Sequence, residues 1–188
     1  YRINGYAART IFGFGRDQNR AILDSALATD TDISYSSHGL RYYNNEIYWV
    51  DEWKSLISKI NLPTYISIVH TVTRIVGAYI DGSNWKTGWS YNEDVLARTH
   101  RFTHNDLKDI AFDGSGNMYV LHKYALYVVF NGTYSTLLNT LFPSGGLTSG
   151  YIYFIAGDKS TSSYSGDGLG YVVRTGGIGS YSNNSVTF

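Results

Sequence analysis

The feature that most constrains this chain is that it repeats itself. Glu46-Ile47-Tyr48-Trp49-Val50-Asp51 returns as Asn117-Met118-Tyr119-Val120-Leu121-His122, a spacing of 71 (position 46 to position 117). Upstream of the two copies lie Asp32-Ile33-Ser34 and Asp109-Ile110-Ala111. Downstream lie apolar segments containing Leu56-Ile57 and Tyr127-Val128. Further upstream come Thr10-Ile11-Phe12-Gly13 and Arg74-Ile75-Val76-Gly77. A third opening is Phe154-Ile155-Ala156-Gly157, followed by Tyr164-Ser165-Gly166-Asp167-Gly168. The order holds each time: a segment ending in Gly, a variable loop, an Asp-Ile segment, a turn, a Tyr segment, then another apolar segment. Self-similarity of this kind marks one supersecondary unit used repeatedly.

The unit reads as β-structure. Its apolar runs are short and bounded by turn residues, which predicts strands rather than long helices. The expected strands cover residues 9–14, 46–51, 56–60, 65–75, 109–112, 118–122, 126–130, 150–156 and 171–174. Between them, Tyr43-Asn44-Asn45, Asp113-Gly114-Ser115-Gly116-Asn117 and Asn131-Gly132-Thr133 supply the Gly and Asn that hairpin turns need at positive φ. One helical stretch is expected at 17–28, where Ile22, Leu23, Ala26 and Leu27 share a face at the 3.6-residue period. Eighteen Tyr, four Trp and eight Phe suit a pleated sheet, across which large flat side chains pack.

These residues carry a resemblance. Over residues 9–60, 73–130 and 153–168 the chain resembles the NHL-repeat family of β-propellers. The best match is Arg74-Ile75-Val76-Gly77 followed by Asp109-Ile110-Ala111-Phe112-Asp113-Gly114-Ser115-Gly116-Asn117-Met118-Tyr119-Val120. Residues 9–60 match next best, closing with Tyr48-Trp49-Val50-Asp51 and Leu56-Ile57-Ser58-Lys59-Ile60. The resemblance implies an all-β fold of propeller-like antiparallel four-stranded blades. It divides the chain into a first unit at 1–60, a second with a long loop at 61–130, the start of a third at 131–168, and a Gly/Ser-rich tail at 169–188. The aspartate that the pattern expects after the Tyr strand is Asp51 in the first unit but His122 in the second. Two blades and an opening make an incomplete ring with exposed strand edges. Three outcomes are open: closure from further sequence, closure from sister chains, or packing of the repeats in a non-propeller β arrangement.

Composition narrows the function. The 188 residues balance 15 basic against 15 acidic groups, so no global field draws the chain to nucleic acid or to an anionic membrane. Charged residues make up 16%, below the roughly 25% of ordinary soluble domains, leaving the surface to Ser, Asn, Thr, Tyr and Gly. No Cys is present, which excludes disulfides, thiolate metal sites and Cys nucleophiles. No run of about 20 apolar residues is available for membrane insertion. An extracellular or virion-surface location is the expectation from this low-charge, Tyr/Ser/Asn/Gly-rich composition.

No catalytic constellation emerges, so a non-enzymatic role is expected, with no cofactor and no metal. His100 and His104 have an i, i+4 spacing, but Thr99, Phe102 and Thr103 disfavour a helix there and a solvent-facing loop is the expectation. Asp113 to Asn117 begins like a calcium loop, yet position twelve is Tyr124 rather than a bidentate Glu, so a hairpin turn is expected. Gly13-Phe14-Gly15 has Gln18 where a dinucleotide fingerprint needs its third Gly. Asp51, Glu52, Asp109 and Asp113 read as acidic turn residues. The candidate ligand-binding residues are aromatic: Trp53, and Trp85, Trp89 and Tyr91 in the long loop of the second unit. Exposed rings stack on sugar faces or anchor protein interfaces. The leading expectation is a binding and assembly module, part of a phage tail or fibre-like structure, with protein partners or self-association. A lectin-type glycan binder and a metal-dependent propeller enzyme fragment of lyase or lactonase type are the alternatives.

Overall fold

A computed structural model describes residues 2–3, 6–7, 33, 37–61, 71–78, 95–102, 106–123 and 125–157. Among them the protein is mostly β, in two antiparallel sheets. Two short strands, β1 (Arg2–Ile3) and β2 (Tyr6–Ala7), form a separate ribbon. The first main sheet consists of β3 (Ser37–Tyr43), β4 (Glu46–Asp51), β5 (Leu56–Asn61) and β6 (Val72–Val76), each paired with its sequence neighbours. The second runs β8 (Leu107–Phe112), β9 (Met118–His122), β10 (Ala125–Val129) and β11 (Tyr151–Gly157). A fifth strand, β7 (Val95–Leu96), pairs with β11. Neither sheet closes on itself. Among the described residues no helix is long and apolar enough to cross a membrane.

Local chemistry explains the hairpins. Asn44 and Asn45, with φ of 46° and 62°, form the two-residue turn that sets the register Tyr43↔Glu46. The β4–β5 connection spans four residues between the paired Asp51 and Leu56. There Asp51 Oδ1 accepts the Lys54 amide at 2.9 Å, while Ser55 takes φ 53°. The β9–β10 connection joins the paired His122 and Ala125 through two residues only. There His122 stands where the repeat pattern expects Asp, 1% exposed and stacked beside Phe102.

The sequence repeat and the sheets are one strand out of step. The segments that end in Gly77 and Gly157 are the fourth strands of their sheets, and they close one unit rather than open the next. Residues 151–157, expected as the opening of a third unit, pair antiparallel with β10. Sheet formation favours the nearer partner in sequence: ten residues separate β5 from β6 (62–71), whereas thirty separate β6 from β8 (77–106). Both terminal glycines have positive φ, 99° and 92°. At Gly77 a Cβ would meet Leu56 Cδ2 and the Ser55 carbonyl at 2.6 Å, so the repeated Gly is a requirement of the backbone.

The first strand of the first sheet also differs from expectation. The Asp-Ile segment of the first unit is 32–34, but Ile33 is in no regular element and the strand that pairs with β4 is 37–43, pinned by the Asn44-Asn45 turn. Helix α1 (Thr136–Leu141) is additional. Ser135 caps it by accepting the Leu138 amide, and Pro143 follows its end. Six residues are too few to leave a periodic signal in the sequence. The expected strands at 9–14 and 171–174, the helix at 17–28, and the tail 169–188 lie outside the described residues.

The two sheets pack face to face. Tyr48, Val50, Ile57 and Val76 of the first meet Ile110, Met118, Val120, Tyr127, Ile152 and Phe154 of the second in one apolar cluster. Each fully buried aliphatic side chain here contributes about 1.5–3 kcal/mol. The far face of the second sheet carries Tyr119, Val128, Tyr153 and Ile155, which pack with Leu138 of α1. The far face of the first carries Trp49, Leu56, Ile60 and Val72, all buried.

Candidate functional site

The edge strands β3 and β8 meet where the two sheets approach. Alternation along β3 separates its side chains into two sets. Tyr43 points into the seam and stacks on Phe112, ring centroids 4.4 Å apart. Arg41 Nη2 donates to both carboxylate oxygens of Asp109, each at 2.7 Å. Leu40 and Tyr42 are turned outward, 59% and 67% exposed. Gly39 allows the close passage: with φ 61°, a Cβ there would lie 2.8 Å from Val50 Cγ2 and 3.1 Å from Asp109 Oδ1.

A charged network extends from this crossing. Glu52, in the β4–β5 turn, accepts from Lys108 of β8 and lies 3.3 Å from His38 Nε2. On the first sheet Glu46 accepts from Lys59 at 2.5 Å and from the Tyr48 hydroxyl at 2.6 Å. Burial first, and then the Glu46 hydrogen bond and charge, push the Tyr48 phenol far above its ordinary pKa, so it stays a donor. Asp109 and Glu52, read from sequence as solvated turn acids, therefore bridge the sheets. Asp51 and Asp113 fit the turn reading.

Asp113 organises the β8–β9 turn. Its Oδ1 accepts the amides of Ser115 and Asn117 at 3.0 and 2.9 Å, and its Oδ2 accepts Asn117 Nδ2 and the Tyr119 hydroxyl. Burial raises its pKa, but the hydrogen bonds from Asn117, Ser135 and Ser115 outweigh burial and leave it lowered. Tyr119 is pushed up to about 12, chiefly by burial. Asn117, itself fully buried, also donates to the Thr133 carbonyl and accepts the Asn131 amide, tying two turns together. The carboxylate is committed to N–H and O–H donors, the arrangement of a turn and not of a cation site.

Of the aromatic candidates, Trp53 is half-buried in the β4–β5 turn. Trp85, Trp89 and Tyr91 lie outside the described residues. His100, expected in a solvent-facing loop, is fully buried. The 3-10 turn Ala97–Thr99 delivers it inward at the junction of the sheets, where it contacts Phe102 and Tyr127. His104 lies outside the described residues. Among the described residues no three His, Asp or Glu side chains are placed to hold a metal ion.

Sequence reasoning missed Leu40 and Arg41, and counted Tyr42 only as one of a dense group of aromatics. The signal was available: Leu40 and Tyr42 alternate immediately before an Asn-Asn turn, as outward residues of a strand leading into a hairpin do. No protein-family model matches the chain, and no curated protein is significantly similar to it.

Proposed function

We propose that the chain is a non-catalytic binding and assembly module built from propeller-type repeats, belonging to an extracellular or virion structure of the phage tail or fibre kind. The observation that carries the reading is the direction in which equivalent residues face. Tyr48 and Tyr119 occupy the same place in the repeat, yet Tyr48 lies in the seam between the sheets and Tyr119 on the far side of the second. The same holds for Val76 and Ala156, each one residue before the repeated Gly. A sandwich related by a two-fold axis would bring equivalent faces together. Units related by a rotation that carries each onto the next put one face of a unit against the opposite face of its neighbour, as blades around an axis do.

The first strands of the sheets, β3 and β8, approach one another, which is also the arrangement of inner blade strands. Strand β3 is an edge strand with Leu40 and Tyr42 exposed beside the Arg41–Asp109 pair. Such an edge offers main-chain hydrogen bonds and apolar area together, which suits protein association.

The test is the particle mass in solution by light scattering, beside the intact mass of the chain. Discrete particles of several chains that fall apart on Leu40→Lys or Tyr42→Lys, with circular dichroism unchanged, are expected. A monodisperse particle of one 21.0 kDa chain at high concentration would overturn the assembly reading.

A further inference from the structure

Two histidines are shut inside the seam. His100 is fully buried and His122 is 1% exposed. They share a box walled by aromatic rings: Phe102 lies against His122 at 5.6 Å and nearly parallel, and edge-on to His100 at 4.3 Å. Tyr127 contacts both histidines, at 5.5 and 6.3 Å between centroids. The rings come from different parts of the fold, His122 from β9, Tyr127 from β10, and His100 and Phe102 from the segment 95–102.

That segment is a strap across the two sheets. On the first-sheet side, the Gly77 amide donates to the Ala97 carbonyl at 3.0 Å and the Ala78 amide to the His100 carbonyl at 2.8 Å. On the second-sheet side, the Ala97 amide donates to the Gly150 carbonyl at 2.9 Å, and Leu96 and Val95 pair with Tyr151 and Ile152. The side chains that seat the strap between the sheets are Ala97, His100 and Phe102, all buried, while Arg98, Thr99 and Arg101 are exposed. The side-chain anchoring of the strap therefore runs through the aromatic box, where Phe102 lies against both histidine rings.

We propose that His122 is an acid-sensitive latch: neutral, it seats the strap and holds the two sheets together; protonated, it releases the strap and opens the seam. A cation in the box loses its hydration to aromatic and aliphatic walls, and a second cation would face the first. The charged groups around His122 are unequal in number. Asp106, whose Oδ2 is 3.9 Å from His122 Nε2, favours the imidazolium but also lies 3.7 Å from Lys123 Nζ. Lys108, Lys123 and His100 oppose it. The balance holds His122 down at about 4, with burial the main cause and the Asp106 charge working against it. The sign follows: an unfolded histidine titrates near 6.5, so between about pH 6.5 and 4 the opened form binds more protons and the latch weakens as pH falls.

The test uses the whole chain. Amide hydrogen exchange is compared at about pH 7.5 and about pH 5, corrected for the intrinsic pH dependence, in wild type and His122→Gln. In wild type, residues 76–78 and 95–102 should lose at least about tenfold protection on acidification relative to the β4–β5 hairpin. In His122→Gln that differential loss should largely disappear. Equal acid loss in the variant, or no differential loss in wild type, overturns the latch. Should His122→Gln not fold, ring NMR of the wild type decides: His122 remaining neutral below about pH 5 supports the proposal, and titration near about 6.5 overturns it.

Discussion

The two sheets are built from the same repeated unit, yet they solve two problems differently. The first sheet closes its β4–β5 hairpin with a four-residue turn capped by Asp51. The second uses two residues between His122 and Ala125. The first sheet has four strands. The second gains β7 as a fifth and covers its far face with α1 through Leu138, a residue of no repeat motif. What stays constant is the strand order and the Gly at the end of the fourth strand, while Tyr48 lies in the seam and its equivalent Tyr119 on the far side of its sheet. Repetition thus preserves backbone geometry, while turns and coverings are free to diverge.

The comparison can be broken most forcefully at the coverings. Leu138→Ala removes the one fully buried helix residue over the second sheet and should cost about 2–5 kcal/mol. Leu56→Ala on the far face of the first should cost a similar amount. Urea denaturation of both variants checks this, and a Leu138→Ala effect below about 1 kcal/mol would mean that α1 is an ornament on the sheet.

The repeated glycines come next. Gly77→Ala imposes a positive-φ alanine and a contact with backbone, and should cost about 2 kcal/mol or more. Gly157→Ala carries the φ penalty and should cost about 1 kcal/mol at least. Thermal unfolding of the pair measures whether the two fourth strands end in the same way.

The crossing of β3 and β8 offers a finer distinction. Arg41→Ala leaves the buried Asp109 carboxylate without its guanidinium and should cost about 1–3 kcal/mol. Because a single guanidinium nitrogen makes both contacts, Arg41→Lys should recover a good part of the loss, which a fork-like pair would not allow.

The smallest effect is expected at the turns. Asp51→Asn weakens the acceptor for the Lys54 amide and should cost about 1 kcal/mol. Urea denaturation checks it, and an Asp51→Asn variant as stable as the wild type would mean that the carboxylate does not hold the turn.

The sequence by itself determined the strands and their turns. Residues 46–51 and 118–122 are short apolar runs bounded by Asn-Asn and Gly-Asn signals, so β4 and β9 were legible to the residue, and the recurrence at position 117 of what stands at 46 made the repeat legible too. Those are local properties, set by side-chain period and by φ. Tertiary structure alone decided which sheet each strand joined. Val72–Val76 and Tyr151–Gly157 read as openings of units, and pairing with the nearest earlier strand made them closings. It also decided that Asp109 bridges to Arg41, that His100 turns inward, and that a six-residue helix lies over Tyr119. Each of these depends on contacts between residues far apart in the chain, and a single sequence carries no record of the distance between them.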